Sequence, residues 1–249
     1  MVNKVKYKFG LFLAAFFRWI LPHKKNSAVI LSRQNFLFII SSTICPTVDP
    51  IRYIKKSRSD FDPYTRLLQT INTIKSIQNK MPGASILLIE NSNIPLEYRV
   101  QLESECSSVL YYSSDRIARN LRDSKNKGSG EAYMMIKTLK KFDIKKFRGI
   151  FKISGRYELS DDFNINNFCI SKINFLKTEG VVSTRLYYIP TTMCRLYFRQ
   201  LICSLLATVF GVSLEDVISR GLKSADVNFV SKLGVKGLIG TDAKVMINE

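Results

Sequence analysis

Histidine is almost missing from this chain. Its 249 residues hold one, His23, in a basic N-terminal stretch. That removes histidine triads, two-histidine metal sites and histidine general bases, so any base must be a carboxylate. Cysteine is no better placed for chemistry. Cys45, Cys106, Cys169, Cys194 and Cys203 are odd in number, far apart and never in a Cys-x-x-Cys pair. This argues against a disulfide framework or zinc site and fits buried thiols of a reducing compartment. Acid is scarce: 20 Asp+Glu stand against 38 Lys+Arg, a formal charge of +18. Such a balance implies an anionic partner, whether nucleic acid, an anionic membrane surface or a phosphorylated small molecule. A nucleic-acid-binding signature is absent too, because the aromatics sit inside apolar runs and are not interleaved with basic residues. Nucleic acid is therefore the disfavoured partner. No apolar run reaches the ~20 residues of a bilayer span.

What is present begins with the N-terminus. Residues 1–25 carry Lys4, Lys6, Lys8, Arg18, Lys24 and Lys25 without one acid, around an apolar core at 9–21 that includes Trp19. No small-residue cleavage site follows, and Pro22-His23-Lys24-Lys25 is the wrong flank for a cleaved leader. Residues 1–30 are expected to form a basic amphipathic helix on an anionic membrane surface. A helix packed into the fold's own core is the alternative. Residues 31–249 are expected to form a single domain.

From residue 35 the pattern alternates. Short apolar runs at 36–40, 85–89, 109–112 and 149–153 read as strands. Segments 65–79, 95–106 and 131–142 read as helices, the first with apolar residues at 67, 68, 71, 74 and 77. Strand and helix in alternation predict an α/β fold: a mostly parallel, doubly wound sheet flanked by helices. Later come a strand at 180–189 broken by Ser183-Thr184-Arg185, an apolar helix at 196–210, a helix starting at Ser213, and a loop-rich end at 230–248 carrying Gly234, Gly237 and Gly240.

In such sheets ligands bind beyond the carboxyl ends of the strands. Polar clusters stand at three such ends: Ser41-Ser42-Thr43, Glu90-Asn91-Ser92 and Ser154-Gly155-Arg156-Tyr157. Turn chemistry alone accounts for the first two but not for Arg156. Between them, Lys125 to Glu131 reads as a glycine-rich, basic loop opening a helix, a natural anion site. It matches neither a Walker loop nor a dinucleotide fingerprint.

This order of parts resembles the middle of glycosyltransferases with the GT-A fold. There a polar loop and a helix precede a strand that carries Asp-x-Asp, whose carboxylates hold a divalent metal on the donor diphosphate. Lys127 to Glu131 corresponds to the loop and Ile150 to Tyr157 to the strand and motif. The Leu214-Glu215-Asp216-Val217 segment resembles the pair that supplies the catalytic base in inverting members. The resemblance implies a transferase of the bacterial surface-polysaccharide type, moving a sugar from a nucleotide-sugar donor to a glycan or lipid-linked acceptor at the inner face of the cell membrane.

The chain departs from that pattern at one informative place. Ser154-Gly155-Arg156 stands where Asp-x-Asp is expected, and arginine cannot bind a metal but has a planar donor fork suited to phosphate. Arg156, with Lys152 and Arg185, is therefore expected to replace the metal as counter-charge. Asp161 and Asp162 are the carboxylates that could still hold Mn or Mg. Donor-binding candidates are Ser41, Ser42, Thr43, Arg52, Arg66, Glu90, Asn91, Lys127, Gly128, Gly130, Glu131, Lys152, Ser154, Gly155, Arg156, Tyr157 and Arg185. Glu215 is the base candidate; Asp216 is a second, or a cap of its own helix. The competing reading is a basic α/β protein that binds nucleotide or nucleic acid without turnover.

Overall fold

The structure, a computed structural model, describes residues 2–20, 35–46, 59–106, 108–124, 127–178, 180–239 and 242–249. In chain order the elements are α1 (Val2–Ile20), β1 (Phe36–Ser42), α2 (Pro63–Lys80), β2 (Ser85–Glu90), α3 (Leu96–Glu105), β3 (Val109–Tyr111), α4 (Arg116–Arg122) and α5 (Lys127–Lys141). The second half contributes β4 (Gly149–Ser154), β5 (Glu158–Leu159), β6 (Ile173–Thr178), β7 (Val181–Val182), β8 (Leu186–Pro190), α6 (Cys194–Val209), α7 (Leu214–Gly221), β9 (Val227–Val230), β10 (Val235–Ile239) and β11 (Asp242–Asn248).

One large sheet runs in the order β3-β2-β1-β4-β8-β6-β7, with β9 beside β6. Strands β3, β2, β1 and β4 run parallel to one another; β8 runs antiparallel to both β4 and β6. The α/β, mostly parallel arrangement expected from the alternating pattern is the one found.

The period of two along each strand divides the core. Phe36, Phe38 and Ile40 of β1 face α2 and α3, whereas Leu37 and Ile39 face the side of α5 and α6. On the first side Phe151 is the hub: it stacks on Phe38 at 4.8 Å and meets Phe36, Phe163, Phe168 and Tyr188 within 6 Å. Helix α2 begins where Asp62 caps the backbone N–H of Thr65 and Pro63 supplies the first turn. Its polar positions Arg66, Thr70 and Thr73 are buried along with Leu67 and Ile74, and Leu68, assigned to the apolar stripe, faces outward.

Two expectations change, and α1 finds a packing partner. The glycine-rich segment is not a loop: α5 begins at Lys127, so Gly128, Ser129, Gly130 and Glu131 form its first turns, with buried Ser129 donating to the Thr208 hydroxyl at 2.9 Å. The C-terminal segment is not loop-rich: β10 and β11 form an antiparallel hairpin that pairs with β5. Gly234 and Gly237 sit where this segment presses on neighbouring chain, and a Cβ on Gly237 would lie 2.5 Å from the Arg156 carbonyl. Finally, α1 is built into the body. Ala14 is buried with Cys203, Ala207 and Val217 of α6 and α7.

Phe151 fills the centre of one side of the sheet with no solvent contact. Phe151→Ala is expected to cost ~3–5 kcal/mol, read as a lowered midpoint in urea unfolding.

Candidate active site

Strand order places a topological switch between β1 and β4, which leave the middle of the sheet toward opposite edges. Their register makes the ends level: Ser41 pairs across to Ser154 on one side, and Ser42 to Glu90 on the other. The three polar clusters read in the sequence therefore converge.

A cavity of about 140 Å³ opens at this switch, lined by Ser41, Ser42, Thr43, Asn91, Ser154, Gly155 and Arg156 from the strand ends. Arg66 and Thr70 of α2, Arg122 of α4, and Gly130, Glu131 and Met134 of α5 complete it. Gly155 permits the close approach. Its N–H donates to the Ser41 carbonyl, its own carbonyl accepts from the Thr70 hydroxyl at 3.1 Å, and a Cβ would lie 3.1 Å from that hydroxyl oxygen.

Charge within the cavity is unbalanced. Arg122 is neutralised by Asp123 at 2.9 Å and donates to the Asn91 carbonyl. Among the described residues Arg66 has only neutral partners, the Thr43 carbonyl at 2.6 Å and the Ser59 hydroxyl at 2.9 Å. Arg156 lies against the Tyr157 ring and, among the described residues, has no carboxylate partner. Burial, and then the nearby Arg156 charge, push the Arg66 guanidinium down to about 10, with Glu90 offsetting part of this. At ~1.4 kcal/mol per pH unit, holding that charge in the folded state costs on the order of 3 kcal/mol, which a bound anion would relieve. The cavity is built to receive negative charge.

A second, wider cavity of about 600 Å³ continues from the first, sharing Glu131, Ser154 and Arg156. Its walls are Lys152, Tyr157, the 183–185 segment, Glu215, Glu249 and Gly128. Glu215, in the first turn of α7, accepts from the Thr184 hydroxyl at 2.8 Å. Arg185 is ion-paired with Glu249 and lies 5.9 Å from the Tyr157 ring.

Not every sequence candidate arrives here as expected. Lys152 is fully buried, ion-paired with Glu131 and donating to the Thr184 carbonyl at 2.9 Å, so its charge is spent inside the protein. Glu90 lies beneath the floor, where one oxygen accepts from the backbone of Ile44 and Ser92 and from the Ser92 hydroxyl; it ties two loops together and lines neither cavity. Asp216 points the other way, accepting from Tyr7 of α1 at 2.9 Å while Ser213 caps its N–H. Asp161 and Asp162 are ion-paired with Lys80 and Lys232 and line neither cavity. Among the described residues no cluster of three or more His, Cys, Asp or Glu side chains could hold a metal. Arg52 and the Lys127 side chain lie outside the described residues.

Pro46, Thr70, Arg122 and Met134 are the residues lining the smaller cavity that sequence reasoning missed. Thr70 carries a signal: it is a polar residue on the buried stripe of α2, between Leu67 and Ile74. Arg122 belongs to a basic run, 116–127, whose helix shows no strong apolar stripe and so passes unread.

No protein-family model matches the sequence, and no curated protein does. Solved structures are similar in fold. Core-mannan synthase A from Aspergillus fumigatus, in its Mn/GDP form, superposes with a TM-score of 0.51 at 9% identity, over 82% of this chain and 75% of that one. The mannosyltransferase Ktr4p from S. cerevisiae gives 0.47 at 10% identity, over 92% of this chain and 78% of the other. The fold is GT-A-like, as the order of its parts implied.

Proposed function

We propose that the protein is a glycosyltransferase that takes a sugar from a nucleotide-sugar donor and attaches it to a glycan or lipid-linked acceptor of surface-polysaccharide (lipopolysaccharide or capsule) assembly. The observation that carries the reading is the pair Arg66 and Arg156, two cations at the switch point of the sheet that have no carboxylate partner among the described residues, opening into a second cavity that presents Glu215.

In this reading the donor diphosphate lies over Ser154-Gly155-Arg156, and the two guanidinium groups neutralise the charge that builds on the leaving group. Thr43, Pro46 and Asn91 face the nucleoside end of the smaller cavity. The sugar and the acceptor hydroxyl meet in the wider one, where Glu215 takes the hydroxyl proton. The Thr184 hydroxyl, bonded to Glu215, holds the carboxylate in place. A divalent cation does not fit the diphosphate end: arginine occupies the Asp-x-Asp position, a second arginine faces it, and Asp161 and Asp162 are tied to lysines elsewhere.

A thermal-shift series with UDP-, GDP-, CMP- and dTDP-linked sugars tests the donor site. One nucleotide should stabilise the protein by ~2.7 kcal/mol at 100 times its Kd, equally with manganese and with EDTA. Loss of the shift in EDTA would return the counter-charge to a metal. No shift with any donor would favour the nucleotide-free reading, a basic protein that binds an anionic polymer.

Two substitutions divide the roles. Arg156→Gln is expected to remove ~1.5–3 kcal/mol of charge-assisted donor binding without lowering the unliganded melting midpoint, because it relieves Arg66. Glu215→Gln should leave the donor-induced shift intact and lower turnover by ~10²–10⁴.

A further inference from the structure

Among the described residues, one face of α1 is left largely uncovered. Val5, Phe9, Phe12 and Phe16 follow the i, i+4, i+7, i+11 spacing of a single helical stripe, and they are 66, 49, 63 and 44% exposed. Phe12 and Phe16 stack at 6.3 Å, and Phe9 meets Phe210 edge-on at 5.2 Å, beside Val209, itself 66% exposed at the end of α6. Single exposed apolar residues need no explanation; a contiguous aromatic stripe does.

The opposite face shows that this exposure is fixed by the fold. Tyr7 donates to Asp216, Ala14 is buried, and Gly10 sits so close to α6 and its following turn that a Cβ would lie 2.9 Å from both Phe210 Cβ and Val212 Cγ2. The helix cannot roll to hide the stripe without breaking these contacts.

We propose that this stripe docks the protein on an anionic bilayer surface. The lysines identify the occupant. Lys4 and Lys8 flank the stripe on one side and Lys6 on the other, all exposed, and the helix contains no acid. Apolar side chains ringed by lysine fit the boundary between acyl chains and phosphate headgroups. A second copy of the chain fits poorly, because a two-fold contact through this face would bring the same lysines together. No described helix is long and apolar enough to cross a membrane, so the helix lies in the surface. The consequence for the cleft, which rests on the transferase reading, is one of placement. Asp216 holds α1 and its neighbour Glu215 faces the wider cavity, so docking brings the acceptor side close to the lipid surface.

The test is flotation of the full chain with vesicles of phosphatidylcholine alone, or with about one third phosphatidylglycerol, and it needs no sugar transfer. The wild type should float with the anionic vesicles and at least ~10-fold less with the neutral ones. F12S/F16S should lose ~10-fold or more in anionic binding, and K4Q/K6Q/K8Q about 100-fold, at ~1 kcal/mol per lysine. All five positions are solvent-exposed, so an unchanged melting midpoint verifies that each variant folds. Flotation with neither vesicle, binding indifferent to F12S/F16S, or a wild-type dimer that these substitutions dissolve would each overturn the proposal.

Discussion

Strand β1 is hydrogen-bonded along both edges, to β2 through Ser85–Glu90 and to β4 through Gly149–Ser154, and the cleft depends on that double pairing. With both neighbours parallel and in register, three chain segments leave the sheet at one level. Each then turns away with its polar residues gathered in a space a few ångströms across. The same register fixes facing: Leu37 and Ile39 look toward α5 and α6 together with Ile150, while Phe36, Phe38 and Ile40 join Phe151 on the α2 side. Slippage by one residue would turn every side chain to the wrong face and scatter the cluster.

The charge economy of the site has two layers. Buried charges are matched: Lys152 with Glu131, Arg122 with Asp123, Arg185 with Glu249. Around Lys152 lie the hydrogen-bonded hydroxyls of Tyr187 and Tyr197, whose ionisation burial suppresses, so that this part of the interior is polar yet satisfied. Arg66 and Arg156 are the exception. A cleft that pairs its other lining cations and leaves two together carries an electrostatic cost in the empty state, and natural proteins keep such costs where a ligand removes them.

Much of this was legible in the sequence, for reasons tied to particular residues. Ser41, Asn91 and Ser154 to Arg156 could be placed because strand ends in a parallel sheet are where chain and ligand meet. Lys152 was misjudged although the period of two contains the answer. It shares a face with Ile150, so it points toward α5, where Glu131 takes up its charge. Glu215 and Asp216 are about 100° apart on a helix, so one alone could face the cleft; which one depended on Tyr7, more than 200 residues distant. The C-terminal hairpin was hidden by glycines that serve close packing against Arg156 and Phe163, a reason that no local window contains.

The bond from Tyr7 to Asp216 spans 209 positions in sequence, and this bears on how the protein is made. During synthesis α1 leaves the ribosome well before α6 and α7, which cover its inner face. Until those helices emerge α1 has no partner for Gly10 or Ala14 and exposes its inner face as well as the outer stripe. A nascent chain in that state has two ways to shield the helix, self-association or a lipid surface. The lysines at positions 4, 6 and 8 oppose the first and favour the second, so the stripe proposed to dock the finished protein would also protect the unfinished one.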